Sequence, residues 1–215
     1  MSDGDEFLAA LLDGDRRRAD SVVDRLLDRG LGLEHLYTSV IHPAMSEVGR
    51  LWQENEITVA EEHLATAITQ AAMGRAFERL YRWHESRSSS LIAACVDEER
   101  HQVGLRMLCD LLELEGWNTA YLGASVPAES LVDIVRKRRP DVVALSAAIV
   151  PHLPRLRAAI EAIRGAVPNP PLIIVGGRAL NGDQALARRL GADLTAADAG
   201  EAVRLLRSHA SARSA

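Results

Sequence analysis

Residues 91–104 read LIAACVDEERHQVG: an apolar run of strand length passes directly into a charged stretch that carries Glu99, His101 and Gly104. The segment 103–116, VGLRMLCDLLELEG, then reads as a helix. The same alternation recurs to the end of the chain. TAYLG (119–123), DVVALSA (141–147), PLIIVGG (171–177) and ADLTAA (192–197) are short apolar runs, and helical segments at 127–139, 153–166, 182–191 and 200–210 follow them. Parallel strands need crossover connections, and a sheet built from them must be covered on both faces. Five strands alternating with five helices therefore predict an α/β domain, a doubly wound Rossmann/flavodoxin-like parallel sheet.

Upstream the periodicity is different. Apolar residues recur at helical spacing from Asp5 to about Glu85: Phe7, Leu8, Leu11 and Leu12; Val22, Val23, Leu26 and Leu27; Leu36, Val40, Ile41, Met45 and Val48; Leu64, Ala67, Ile68 and Ala71. Asp13-Gly14-Asp15 and Gly30-Leu31-Gly32 supply breaks, and Thr58 with Glu61 forms a capping-box start. The expectation is an N-terminal four-helix bundle over residues 1–86, a serine-rich linker HESRSSS at 84–90, and the α/β domain over 87–215.

Composition bounds the partners. The 215 residues are 47% hydrophobic and 26% charged with a net charge of −5, so no basic field favours nucleic acid or an anionic membrane. Arg16–Arg18 and the RKRR of 136–139 are short basic runs that read as solvated helix faces or ends. Cys95 and Cys109 lack CxxC spacing and sit in apolar settings, which indicates buried thiols in a reducing compartment. The N-terminus is acidic where a signal peptide would be basic, and the expected location is cytoplasmic.

In doubly wound sheets, ligands bind at the carboxyl ends of the strands near the point where strand order reverses. That rule selects 97–104, 123–127, 146–154 and 176–178 as candidate segments. Neither GxGxxG nor GxxxxGK[ST] opens the first turn. What stands there is a histidine with a carboxylate two residues before it, the pairing by which ligating histidines have their tautomer fixed. One histidine does not make a protein-only metal cage, but it suits a metal that brings its other ligands in a macrocycle.

These residues resemble the cobalamin-binding domain family, whose motifs DxHxxG, SxL and GG are matched here by Glu99-x-His101-x-x-Gly104, Ser146-x-Ala148 and Gly176-Gly177. Glu99 stands in place of the usual aspartate and Ala148 in place of leucine, and YLGASVP at 121–127 is also similar. The resemblance implies that His101 ligates cobalt on its lower face, in the base-off, His-on form, while Glu99 holds the imidazole ring. It also implies that Ser146, Gly176 and Gly177 accommodate the nucleotide tail, and that Gln102, Val103, Gly104, Ser125, Val126 and Ala148 complete the cofactor site.

In the helical half, Trp52 is followed by nine residues and then Glu62-His63. This W-x9-E-H arrangement resembles that of the light-responsive cobalamin regulators. The resemblance implies that Trp52 and the Glu62-His63 pair cover the upper face of the corrin, with Trp52 packing against the adenosyl group of adenosylcobalamin and Glu62 accepting from its ribose hydroxyls. It further implies a non-enzymatic photoreceptor in which cobalt–carbon photolysis rearranges the bundle and so alters homo-oligomerisation or a protein partner. Those regulators carry an N-terminal helix-turn-helix domain with no counterpart in these 215 residues, so neither direct nucleic-acid binding nor a membrane role is expected. Some of them have a histidine directly after the tryptophan; here that position is Gln53, so capture of cobalt on the upper face would require a substitute such as His42 or His63, which no motif in the sequence marks. The chain also resembles the photocobilins, which implies a bilin such as biliverdin, noncovalent because the helical half lacks cysteine. The alternatives are a corrinoid methyl carrier, whose upper face must stay open to a methyltransferase, and an interaction module without cofactor.

Overall fold

The computed structural model describes residues 2–81 and 89–213 and divides the chain into two compact units, 1–83 and 84–215. The expected boundary at 86/87, and all but the last two residues of the expected linker, lie outside the described residues.

The first unit is helical. Helix α1 (Asp3–Leu12) starts at Ser2, and α2 (Arg16–Asp28) starts at Asp15, whose side chain accepts the Arg18 N–H. Between them Gly14 takes φ +66°, a left-handed turn open to glycine at no steric cost. The short helix α3 (Leu33–His35), a π-helical segment Leu36–Ile41 and α4 (His42–Gln53) follow without a break. The π register was not readable from periodicity. Its cause is local: the His42 N–H reaches back to the Tyr37 carbonyl, and the next residue, Pro43, has no N–H with which to restore α spacing. Helix α5 (Val59–Leu80) begins with the expected capping box, in which Glu61 Oε2 accepts the Thr58 N–H at 2.7 Å and Thr58 Oγ1 accepts the Glu61 N–H at 3.3 Å.

Phe7, Leu11, Val22, Val23, Leu26, Leu36, Val40, Ile41 and Val48 form the expected core. On α5 the expected stripe is displaced. Leu64 is 49% exposed and Ala67 is exposed, whereas Ala65, Ile68, Thr69, Ala72, Met73 and Ala76 are buried. Four of the six are Ala or Thr, small side chains on which hydrophobicity gives little signal. Leu12, also expected inside, is 40% exposed.

The second unit is the expected parallel sheet, in the order β2-β1-β3-β4-β5, with β1 at Ser90–Val96, β2 at Asn118–Val126, β3 at Val142–Ser146, β4 at Leu172–Gly176 and β5 at Leu194–Thr195. Helices α6 (Val103–Leu114), α7 (Ala128–Arg138), α8 (Leu153–Ala166), α9 (Gln184–Arg189) and α10 (Ala199–Arg213) connect and follow the strands, with a 3₁₀ turn Val150–His152 ahead of α8. Strand side chains alternate between faces. Ile92, Ala94, Val96, Val143, Leu145, Ile173 and Val175 pack with Leu131, Val135, Leu156 and Ile160 of α7 and α8. Cys95, Ser146 and Gly176, in register across β1, β3 and β4, consequently face the other side.

Two strands differ from expectation. β5 keeps only Leu194 and Thr195 of the apolar run 192–197. β2 runs through Val126, so Ser125 and Val126 belong to the strand and not to a turn after it. Its register skips twice against β1, pairing Ala93 with Tyr121, Ala94 with Gly123 and Val96 with Val126. Positive φ at Gly123 (80°) and Ser125 (50°) absorbs the extra residues as bulges, which continue the strand where the glycine suggested its end.

Candidate functional site

Strand order reverses between β1 and β3, so the connections leaving these two strands converge at the sheet's carboxyl edge. Glu99 sits there with its side chain fully buried. Its Oε1 accepts the His101 backbone N–H at 2.9 Å and lies 2.5 Å from His101 Nδ1. Its Oε2 accepts the Ala148 N–H at 2.7 Å and lies 2.9 Å from Nδ1 of His152. An ionised carboxylate offers about four acceptor positions, and here all are used. Burial pushes the Glu99 pKa up, but the hydrogen bonds from the His101 ring and backbone, His152 and Ala148 outweigh it and hold the carboxyl well below the usual range.

The chemical consequence falls on His101. A neutral imidazole that donates from Nδ1 carries its ligating lone pair on Nε2, and the side chain of His101 is 45% exposed while that of Glu99 is buried. His152 is 8% exposed, and its Nδ1 is likewise committed to Glu99, so the three residues do not form a cation cage. The donor set thus fits a metal that carries its remaining ligands with it.

The loop is held from two further sides. Ser125 Oγ accepts the Glu98 N–H at 3.0 Å and donates to Asp97 Oδ1 at 3.3 Å, and the Ser125 N–H donates to the Glu99 carbonyl at 2.9 Å. Glu98, at φ +64°, pairs through Oε1 with Arg155 of α8 at 2.5 Å. The role predicted for Ser125 at the cofactor is accompanied by a structural one, clamping the loop that presents Glu99.

The other predicted residues distribute as follows. Gln102 precedes α6 and accepts the Tyr121 hydroxyl at 2.9 Å through Oε1; Val103 opens α6, half-buried. Gly104 is exposed, and a Cβ there would meet nothing within 4 Å. Val126 packs with the core beneath α7 and α8. Ala148 acts through its N–H. Ser146 is buried at the end of β3, beside Cys95, whose thiol burial and the Glu99 charge push up to about 12 against a hydrogen bond from Ser146. The two glycines separate: a Cβ on Gly176 would find only the Ala196 carbonyl at 3.7 Å, whereas one on Gly177, at φ +105°, would lie 2.2 Å from the Ala147 carbonyl oxygen. Gly177 is thus required by the fold itself, while Gly176 and Gly104 leave room beside the backbone, as a bound tail needs.

In the helical unit Trp52 lies in the last turn of α4, 39% exposed, followed by exposed Gln53. Glu62 closes the first turn of α5 and His63 follows it; Glu62 Oε1 accepts the Thr66 hydroxyl at 2.9 Å, and His63 Nδ1 lies 2.7 Å from the Val59 carbonyl and 3.0 Å from Glu62 Oε2. His42 opens α4 and is exposed.

Sequence reasoning missed His152 and Arg155. Both lie within or next to the segment after β3 that the strand-end rule selects, and a second histidine in that segment was the available signal.

A family model described as a B12 binding domain matches residues 89–206, and another with the same description matches residues 4–76. The chain belongs to the B12-binding domain family and is a cobalamin-binding protein. Among curated proteins it is similar to the HTH-type transcriptional repressor CarH of Myxococcus xanthus, 31% identical over 186 residues that make up 86% of this chain and 61% of the repressor. It thus spans about three fifths of that relative's length. It is also similar to dimethylamine corrinoid protein 1 of Methanosarcina acetivorans, 26% identical over 162 residues covering 74% of this chain and 75% of that protein. The solved structure of the Methanosarcina barkeri monomethylamine corrinoid protein shares the fold, with a TM-score of 0.81 at 17% identity over 95% of this chain and 96% of that one.

Proposed function

We propose that the protein is a non-enzymatic, cytoplasmic adenosylcobalamin photoreceptor, with His101 as the lower axial ligand of cobalt. The observation that carries the choice of adenosylcobalamin is Trp52, a large indole left 39% exposed at the end of α4 and followed at the start of α5 by half-buried Glu62. An indole supplies apolar area for an adenine ring, and Glu62, whose Oε1 accepts from Thr66 and whose Oε2 lies 3.0 Å from His63 Nδ1, has further lone pairs on both oxygens with which to accept from ribose hydroxyls. When bound, the cofactor supplies a cobalt–carbon bond that light breaks. Glu99 keeps His101 in the tautomer that can ligate, and Gly104 and Gly176 leave the backbone accessible to the tail. Trp52 would pack on the adenosyl group and would lose that partner on its departure, so the helical unit would serve as the two-state element, with altered self-association or a changed protein contact as its output. No helix among the described residues is long and apolar enough to cross a membrane. A noncovalent bilin as second chromophore rests on the resemblance alone.

Protein reconstituted in the dark with adenosylcobalamin is expected to show a base-off, His-on absorption spectrum that changes irreversibly under green light. An unchanged spectrum after illumination refutes the sensor while leaving cobalamin binding intact. Including biliverdin in a parallel sample tests the second chromophore by its own red absorption band. The second reading, a methyl carrier, is favoured by similarity that extends over 75% of a dimethylamine corrinoid protein. It requires methyl transfer from the reconstituted protein to a methyltransferase, undiminished in Trp52→Ala.

A further inference from the structure

We infer that His152 is a positioning residue for the cobalt ligand: it locks the Glu99 carboxylate, and through it sets the tautomer and orientation of His101. The inference rests on reading His101 as the axial ligand, but its geometry is independent of cofactor. Glu99 has no freedom to choose between partners. Ala148 N–H and His152 Nδ1, at 2.7 and 2.9 Å, hold Oε2, which aims Oε1 at the backbone and ring of His101. The ring of His152 is almost wholly buried, so its own bond to Glu99 has no competing water, and leaving that oxygen short of a donor carries a desolvation cost.

The element that supplies His152 also grips the neighbouring residue. The 3₁₀ turn Val150–His152 runs directly into α8, and Arg155, one turn on, pairs with Glu98. Two consecutive acidic residues of the axial loop are therefore fixed from one short stretch of chain. An imidazole at this place is rigid and donates along one direction, so the carboxylate plane is set by a buried ring.

The test uses the full chain and hydroxocobalamin, with His101→Ala as reference. His152→Leu is expected to weaken hydroxocobalamin binding severalfold, less than the about 10- to 100-fold usual for removing the group bonded directly to a metal ligand, which here is Glu99. Its spectrum is expected to shift toward that of His101→Ala. His152→Asn, whose amide N–H takes the place of the Nδ1 donor, is expected to recover the wild-type spectrum and most of the affinity. In cofactor-free protein, nitrogen-15 NMR of the His101 ring is expected to show protonation at Nδ1 in the wild type and in His152→Asn, and a mixture of tautomers in His152→Leu. Wild-type affinity and spectrum in folded His152→Leu overturn the inference, as does a His152→Asn variant as impaired as His152→Leu. If His101→Ala keeps the wild-type spectrum, it is the axial reading that fails, and the tautomer measurement still decides whether His152 orients His101.

Discussion

Glu99 and His101 are joined twice, the backbone N–H and the ring Nδ1 of the histidine meeting the same carboxylate oxygen at 2.9 and 2.5 Å. The carboxyl's pKa is depressed from 4.5 because these donors, with His152 and Ala148, outweigh burial. A depressed folded-state pKa contributes stability that is present above the unfolded value and lost as pH falls through the folded one. Glu99→Gln keeps the size but not the charge and leaves buried donors short of acceptors, at a cost of about 1–3 kcal/mol at pH 7. The difference in urea midpoint between cofactor-free wild type and variant should shrink below pH 4.5. A difference that stays constant from pH 7 to acid contradicts the assignment of this carboxylate as the charged centre of the loop.

Gly176 and Gly177 should respond oppositely to the same substitution. Gly177→Ala places a methyl group 2.2 Å from the Ala147 carbonyl at a positive φ, so the β3–α8 connection must move; strain of this kind costs about 1–3 kcal/mol or more. Gly176→Ala meets nothing closer than 3.7 Å and should leave thermal unfolding of cofactor-free protein nearly unchanged while lowering cobalamin affinity. Equal loss of stability in both variants argues against reading Gly176 as space kept for the tail.

Gly104→Ala should separate stability from function. The residue lies in the first turn of α6, where a Cβ has open space, and replacing a helical glycine with alanine gains up to about 1 kcal/mol. Cofactor-free protein should therefore melt slightly higher, while titration with hydroxocobalamin should show weaker binding. Binding unaffected by the methyl group contradicts close passage of the cofactor at this point.

What could be read in the sequence was whatever local order controls. Alternating apolar runs gave the parallel sheet, and the strand-end rule led to Glu99, His101, Ser146 and Gly176. His152 stood within the selected segment, but its pairing with Glu99 could not be read because the two lie 53 positions apart and only the converging β1 and β3 connections bring them together. The bulges of β2 escaped because a glycine inside a run reads as its end, although Gly123 continues the strand at φ 80°. On α5, Leu64 drew the expected face one position off the alanine-rich side that is buried, since small residues allow close helix approach without a strong hydrophobic signature.

Trp52 decides between the two cobalamin readings, and a ratio of affinities tests it free of stability effects. The indole is 39% exposed, so Trp52→Ala removes a surface that a ligand can use together with some packing within the bundle. Loss of bundle packing lowers affinity for every cobalamin alike. Loss of an adenosyl contact lowers affinity for adenosylcobalamin alone, because methylcobalamin has no adenine to stack. An aromatic contact of about 0.5–1.5 kcal/mol beyond its buried area corresponds to a fall of about 2- to 12-fold in the adenosyl-to-methyl preference. Equilibrium titration of both cobalamins in the dark, against wild type and Trp52→Ala, gives the ratio directly. A preference unchanged by the substitution removes the support that Trp52 gives to the photoreceptor and shifts the balance to the methyl carrier.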